Sequence, residues 1–360
     1  MDGFEIPTLR TPRLTLRAFR ADDMHAYAAM LGDPAVARFL GTGKPRDAAE
    51  SWEAAARGLG QWALRGHGLF AVAHDGAIIG HAGILSPPAW PHPELAYAIA
   101  PAWQRRGFAT EAAQAVRAWA AAALGMRDLV SFIRPENTPS AAVARGLGAR
   151  HEADIELMGI AAQVWRHGPP PDAAPPSEAP TRIAIPVLET GRLVLRGFRG
   201  ADYAPVCAIH ADAETMRHLG DGKPRDPALT WAQLCMWTGA HGLGRGGWFA
   251  ITKRDDGTVI GRSGVNAQPG WPEPELAYTL GRAHWGKGLA REAAAAVRDW
   301  AWRDAGLGSL VSLIKVGNDA SSRVAARLGA RMTGTMTFEG KPTERWEYPA
   351  PAAQPPAARG

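Results

Sequence analysis

Cysteine is almost absent from this chain. Cys207 and Cys235 are the only two among 360 residues, with no CxxC spacing and no histidine cluster beside either. A disulfide framework or cysteine-built zinc site is therefore not expected, and two buried free thiols are. Long apolar runs are missing too: none reaches the ~18 residues of a membrane span. The opening MDGFEIPTLR has neither a basic start nor an apolar core, so no secretory signal is expected and the cytoplasm is the expected location. His67, His74 and His81 show no ligand spacing on a helix. They are expected at the surface or in loops, with no metal site. No RNA-binding signature accompanies the basic residues, so a nucleic-acid partner is not expected.

What is present is ordinary globular material, 46% hydrophobic and 21% charged, with a formal charge of +5 and a pI near 9.5. That length exceeds what one core usually serves, so about two domains are expected. The positive surplus suits a cofactor carrying several phosphates. Comparing the chain with itself reveals a repeat. Thr11-Pro-Arg-Leu-Thr-Leu-Arg17 returns as Thr190-Gly-Arg-Leu-Val-Leu-Arg196, and Phe39-Leu-Gly-Thr-Gly-Lys-Pro-Arg-Asp47 as His218-Leu-Gly-Asp-Gly-Lys-Pro-Arg-Asp226, both at an offset of 179. From Gly76 onward the offset is 181, and 28 of the 57 positions from Glu94 to Arg150 match Glu275 to Arg331. So long a period means two copies of one domain rather than a solenoid.

Each copy opens on an alternating strand, Leu14 to Phe19 or Leu193 to Phe198. Asp22 and Asp202 sit where helix N-caps are expected. Helices are predicted to about Leu31 and Ala211, then over Ala48 to Leu64 and Ala228 to Ala240. Strand pairs follow around Asp75-Gly76 and Asp256-Gly257, a hairpin signal. The next stretch organises everything else: a short apolar run from Leu95 or Leu276, a basic glycine turn, and an alanine-rich helix opening at Thr110-Glu111. In that helix Ala112, Ala113, Val116, Trp119, Ala120 and Ala123 mark one buried face. Later strands begin near Leu129 and Leu310. The final helices run from about Ser140 or Ser321 to Gly148 or Gly329, and strands at Glu152 to Met158 and Gln163 to His167 close the first copy. The expected domains are 1–168 and 182–350, with a proline-rich linker at 169–181 and a disordered tail at 351–360.

The turn between strand and helix has a specific physics. Amides at a helix start have no partner within the helix, and the dipole adds positive charge there, so an anion is the natural guest. Gly107 permits close backbone approach; Arg105 and Arg106 add fixed charge. The spacing is neither GxxxxGK[ST] nor GxGxxG.

Gln104-Arg105-Arg106-Gly107-Phe108-Ala109 resembles the Q/R-x-x-G-x-G/A signature of the GNAT acetyltransferase superfamily, whose backbone amides hold the pyrophosphate of acetyl-CoA. Trp285-Gly286-Lys287-Gly288-Leu289-Ala290 is similar to the form found in the RimJ/RimL branch, which acetylates protein N-termini and some small amines. The resemblance covers both halves except the linker and tail. It implies two tandem GNAT domains, each an α/β fold with a mixed, mostly antiparallel sheet flanked by helices, and an intramolecular pseudo-dimer. It also implies direct acetyl transfer from acetyl-CoA to a primary amine.

The same resemblance suggests roles for individual residues. Glu94 and Glu275, directly before Leu-Ala-Tyr, match a glutamate that serves as general base, against the alternative of a solvated strand-start carboxylate. Asn137 and Asn318 match the asparagine that binds the pantetheine arm. Ser140 and Ser321 either touch the sulfur or cap the helix. The family's general-acid tyrosine is replaced by Ala144 and Ala325. Trp90 and Trp271 precede the glutamates; Trp52, Trp62, Trp231, Trp237 and Trp248 are read mostly as core, with acceptor clefts the other use. Lys44-Pro-Arg46 and Lys223-Pro-Arg225 are read as solvated loops, with an acidic acceptor the alternative. A protein α-amine is the expected acceptor. A small-molecule amine acetyltransferase (polyamine, amino acid or aminoglycoside) and a non-catalytic acyl-CoA sensor remain alternatives.

Overall fold

A computed structural model describes residues 2–170, 175, 177–244 and 246–350. The chain forms two compact units: Gly3–Ala184 together with Trp231–Leu243, and Ile185–Thr230 together with the described residues from Gly244 onward, joined there by Asp2.

The first unit is built on β1 (Asp2–Arg10), β2 (Thr15–Arg17), β3 (Leu69–His74), β4 (Ala77–Leu85), β5 (Glu94–Ile99), β6 (Val130–Ile133), β7 (Arg150–Leu157), β8 (Ile160–Arg166) and β9 (Ser177–Ile185). They form a nine-stranded sheet of order β7-β8-β6-β5-β4-β3-β2-β1-β9. The β5–β6 pair is parallel, while β1 to β5 and β6-β8-β7 run antiparallel. Its helices are α1 (Met24–Gly32), α2 (Pro34–Ala37), α3 (Ala48–Arg65), α4 (Phe108–Leu124) and α5 (Thr138–Gly146). The second unit repeats the plan with β10 (Leu188–Glu189), β11 (Leu193–Arg196), β12 (Gly247–Lys253), β13 (Val259–Asn266), β14 (Glu275–Leu280), β15 (Val311–Lys315), β16 (Arg331–Phe338) and β17 (Lys341–Glu347). Their order is β10-β11-β12-β13-β14-β15-β17-β16, with β14–β15 parallel as β5–β6 is. The remaining helices are α6 (Tyr203–Ala211), α7 (Ala213–Met216), α8 (Pro227–Gly239), α9 (Leu289–Arg303) and α10 (Asp319–Arg327).

Local sequence explains the boundaries. Asp47 caps α3 by accepting from the Glu50 amide at 2.8 Å while Glu50 accepts from the Asp47 amide at 3.0 Å, a reciprocal capping box. Gly66, at φ 74°, ends the helix in the left-handed conformation that glycine adopts without strain. In β3, Leu69 to Ala73 are all buried: α4 packs against β4 and β5, while α1 and α3 add cover over β4 and β3.

Several details differ from the sequence reading. Asp23, not Asp22, is the counterpart of Asp202. Asp23 is buried, pairs with Arg17 at 2.7 and 2.8 Å, and accepts from the Arg20 amide. Asp202 does the same with Arg196 and the Arg199 amide. Ala123 lies in the exposed last turn of α4 rather than on its buried face. Residues 177–181, read as linker, are part of the edge strand β9, where Pro180 is tolerated. Linker residues 171–174 and 176, and the tail 351–360, lie outside the described residues.

Candidate active site

The two parallel pairs create the site. β5 and β6 are in register only at Glu94↔Val130, and β14 and β15 only at Glu275↔Val311. Beyond those points the strands part, leaving a wedge in each sheet. A serine braces each vertex: the Ser131 hydroxyl donates to the Leu95 carbonyl at 2.8 Å, and Ser312 to that of Leu276 at 2.6 Å. One arm of the wedge leads to the basic glycine turn, the other to the start of α5 or α10.

The turn is held from both sides. Gln104 Nε2 donates to the Ile99 carbonyl at 2.8 Å, and Trp285 Nε1 to that of Leu280 at 2.7 Å. Arg105 and Gly286 both have positive φ, 59° and 73°, so the first copy accepts left-handed backbone at a non-glycine residue. Gly107 and Gly288, at φ 80° and 75°, are the N-caps of α4 and α9 and provide no side-chain cap. The first amides of each helix therefore have no side-chain cap from the residue before them. Helix α4 begins at Phe108, two residues before the predicted start, because the buried Phe108 and Leu289 side chains anchor the first turn in the core. A groove of about 930 Å³ opens beside Gly288, with Arg192, Lys287, Arg291, Arg303 and Arg327 along it.

One set of supports escaped the sequence reading. Glu111 accepts from the Thr11 hydroxyl at 2.6 Å, the Arg13 amide at 3.0 Å and Arg13 Nε at 2.7 Å, while Arg13 Nη1 donates to the Arg106 carbonyl at 2.9 Å. Thr190, Arg192, Glu292 and the Lys287 carbonyl repeat this arrangement. The available signal was the recurrence of T-x-R at the head of both repeats.

At the other arm, Asn137 Oδ1 accepts from the Ser140 amide at 3.2 Å and Asn318 Oδ1 from that of Ser321 at 3.3 Å. Asparagine, not serine, is therefore the cap, and the helices begin at Thr138 and Asp319. Tyr97 Oη donates to the Ser140 carbonyl at 3.1 Å and Tyr278 Oη to that of Ser321 at 3.2 Å. Ala144 and Ala325 are fully buried.

Glu94 looks into a cavity of about 450 Å³ whose lining includes Tyr97, Asn137 and Ser140. Burial pushes its carboxyl up to about 8, with the Phe132 backbone N–H opposing. Glu275 is pushed up by burial to about 7, held lower by Asn266 Nδ2 and Trp271 Nε1, which both donate to Oε2 at 2.9 Å. In the first copy Leu85 stands in place of Asn266, and the buried Trp90 Nε1 has no hydrogen-bond partner among the described residues.

The lining corrects several expectations. His67 and His81 are buried rather than superficial; Tyr27 Oη lies 3.0 Å from His81 Nδ1, and burial with nearby Arg46 brings His81 down to about 4. Arg46, read as part of a solvated loop, is half-buried in the cavity wall. Trp62 belongs to the core, as expected, against Phe70 and Trp119. Trp231 lines the cavity with Ala232 and Cys235, although these residues come from the second copy of the repeat. Their segment packs very closely: a Cβ on Gly60 would stand 1.7 Å from the Cys235 carbonyl oxygen, and one on Gly239 1.9 Å from that of Ala56. Cys235 is buried and Cys207 only half-buried; both are free thiols. Among the described residues no group of three or more His, Cys, Asp or Glu is placed to hold a metal ion, and no helix is long and apolar enough to cross a membrane.

Residues 13–150 and 192–331 each match the family described as "Acetyltransferase (GNAT) domain". The chain is 30% identical over 165 residues to the uncharacterized protein YkkB of Bacillus subtilis, covering 44% of this chain and 94% of that one. It is 25% identical over 153 residues to the uncharacterized N-acetyltransferase YoaA of the same organism, covering 42% and 86%. Among solved structures, an acetyltransferase from Agrobacterium tumefaciens is 35% identical and covers 46% of this chain and 95% of its own, with a TM-score of 0.40.

Proposed function

The chain belongs to the GNAT acetyltransferase family, with one domain in each repeat, and is an acyltransferase; from that premise we propose that both repeats move acetyl from acetyl-CoA directly to a primary amine, with Glu94 and Glu275 as general bases. The observation that carries this reading is a carboxyl at the vertex of each wedge, raised by burial to about 8 or about 7. A base poised there is matched to neutral pH.

The residues at the turns fit the co-substrate. Uncapped amides after Gly107 and Gly288, with Arg105 and Arg106 or Lys287 beside them, suit a pyrophosphate. Gln104, Phe108 and Ala109, with Trp285, Gly286, Leu289 and Ala290, shape the backbone that presents those amides. The wedge leads from the turn to the glutamate, and Asn137 and Asn318 stand on its far arm. Bound acetyl-CoA would supply the thioester.

In the proposed step the amine nitrogen attacks the thioester carbonyl; the C–N bond forms, the C–S bond breaks and the electron pair leaves on sulfur. The amine proton passes to Glu94 or Glu275, directly or through one water. An α-amine needs little help, since its pKa is ~7.7–8.0. A thiol of pKa ~8.5 is a good enough leaving group to take its proton from water, so the alanines at 144 and 325 do not preclude turnover. Ser140 and Ser321 Oγ are the groups we propose for a contact to sulfur. The acceptor class we favour is an α-amine, from a protein N-terminus or a small molecule.

Acetyl-CoA-dependent thiol release against N-terminal peptides, amino acids, polyamines and aminoglycosides tests the proposal. Turnover on one class, lowered by Glu94→Gln or Glu275→Gln and lost in the double variant, is expected. Acetyl-CoA binding with no turnover on any acceptor would favour a sensor.

A further inference from the structure

Arg46 is unusual among the cations lining the first cavity. Arg57 pairs with Glu53 at 2.8 Å. Arg134 reaches Glu136 at 3.9 Å and donates to the Gly41 carbonyl. Among the described residues Arg46 makes no direct ion pair and no side-chain hydrogen bond, yet it is half-buried and lines the cavity. Burial holds its guanidinium below the usual arginine range.

The loop is shaped to hold this side chain. The Arg46 amide donates to the Leu31 carbonyl at 3.1 Å, and a Cβ on Gly41, at φ 49°, would stand 3.1 Å from Arg46 Nη2. The second repeat builds the same feature: the Arg225 amide donates to the His210 carbonyl at 3.0 Å, and a Cβ on Gly220 would stand 2.8 Å from Arg225 Nη2. Glycine at that point lets the guanidinium lie against the backbone in both copies. Meanwhile Glu94 is the only carboxylate among the described residues lining the first cavity, against three arginines.

Glu50 and Glu53 act on this guanidinium from beyond ion-pair distance; a half-buried guanidinium with no carboxylate in direct contact is costly to keep, and its planar fork matches a carboxylate or phosphate bidentately. We infer that the first repeat selects an acceptor whose primary amine is carried on a molecule with an anionic group, received by Arg46. Polyamines are disfavoured, because their second ammonium would face the arginines. This inference rests on the reading of Glu94 as the reactive end of the cavity. The anion has two possible sources, a small amino acid or an acidic residue next to a polypeptide N-terminus.

The test uses the full chain carrying Glu275→Gln, so that the first repeat is read alone. Thiol release from acetyl-CoA, and calorimetric binding to the CoA-loaded protein, are measured for free glutamate, the amidated tripeptides Ala-Glu-Ala, Ala-Gln-Ala and Ala-Lys-Ala, and spermidine. An anionic acceptor should be preferred over its neutral match by about tenfold, the worth of one charge-assisted hydrogen-bonded pair. Arg46→Gln should reduce that ratio below about twofold, and Arg46→Lys should retain part of it. A preference for glutamate or for Ala-Glu-Ala tells which source supplies the anion; either supports the inference. Equal or reversed preference overturns it, as does a ratio that survives in folded Arg46→Gln protein, checked by circular dichroism, or no binding of any acceptor. Anion-selective, Arg46-dependent binding without turnover would sink the acetyl-transfer reading and leave only the anion contact at Arg46 standing; turnover without selectivity would keep acetyl transfer and overturn this inference.

Discussion

Trp271 donates its indole N–H to Glu275 Oε2 at 2.9 Å. The same tryptophan in the first repeat, Trp90, has no hydrogen-bond partner for its buried N–H among the described residues and meets Phe132 edge-on at 5.6 Å. Together with Asn266 in place of Leu85, this one contact separates the two glutamates, about 7 against about 8.

Removing that donor should close the gap. Trp271→Phe keeps the aromatic bulk but takes one hydrogen bond from the ionised carboxylate, so the Glu275 carboxyl rises. The limb of the second repeat's pH–rate profile should move up by roughly 0.5–1 unit, a hydrogen bond to a charged group being worth ~1.5 kcal/mol or less in a partly solvated site. Turnover at pH 7 should fall several-fold and recover by pH 9. An unmoved limb would argue against this hydrogen bond.

A raised carboxyl pKa also affects stability. The folded state holds the Glu94 proton up to about pH 8, against 4.5 for an unperturbed glutamate. Folded protein therefore binds more protons than unfolded across that window, and the stability from this group declines as pH rises through it. Glu94 is half-buried, and Glu94→Gln removes the charge that its desolvated site opposes. Relative to wild type, the variant should gain roughly 1–3 kcal/mol between pH 5 and pH 9, read from urea midpoints at both pH values. A constant difference between the two proteins would count against the buried-carboxyl account.

The helix contact at Gly60 and Gly239 leaves no room for a methyl group. Gly60→Ala or Gly239→Ala should destabilise the first unit by about 2 kcal/mol or more, because backbone rather than a pliable side chain stands in the way. Trp231→Ala, by contrast, should mainly enlarge the cavity and admit bulkier acceptors. Thermal melts and acceptor profiles separate the two effects; alanine at Gly60 with an unchanged melt would contradict the packing.

The Thr11–Arg13–Glu111 cluster predicts a cofactor phenotype far from the glutamates. Arg13→Gln loses the ion pair to Glu111 at 2.6 Å and the bond to the Arg106 carbonyl, so the turn is less ordered before binding. Calorimetry should show acetyl-CoA affinity at that repeat weakened about 5- to 30-fold, corresponding to ~1–2 kcal/mol. Arg192→Gln should do the same in the second repeat. Unchanged affinity at both would show that the cluster is only structural.

Much of this architecture was legible in the residues. The internal offset and the Asp-Gly hairpins located the repeat and its strands, and the glycine turn located the anion-ready helix start, because these features depend on neighbours in sequence. Contacts between distant residues were not legible. Glu111 meets Arg13 across 98 positions, and nothing in the period of α8 tells which copy of the sheet Trp231 and Cys235 will cover. Lys44-Pro-Arg46 has loop composition, so burial of Arg46 could not be read from it. His81 became a core residue because alternation in β4 turns it toward Tyr27. The capping role of Asn137 was hidden because Asn and Ser both favour that position.

The most direct test of the account is the pH dependence of acetyl transfer by each repeat alone, measured with Glu275→Gln to isolate the first and Glu94→Gln to isolate the second. The account predicts that both rates rise with pH as a single carboxyl loses its proton, with midpoints near 8 and 7 in that order, and that the double variant is inactive. A double variant that turns over as fast as wild type, or midpoints that stay the same whichever glutamate is replaced, would contradict it.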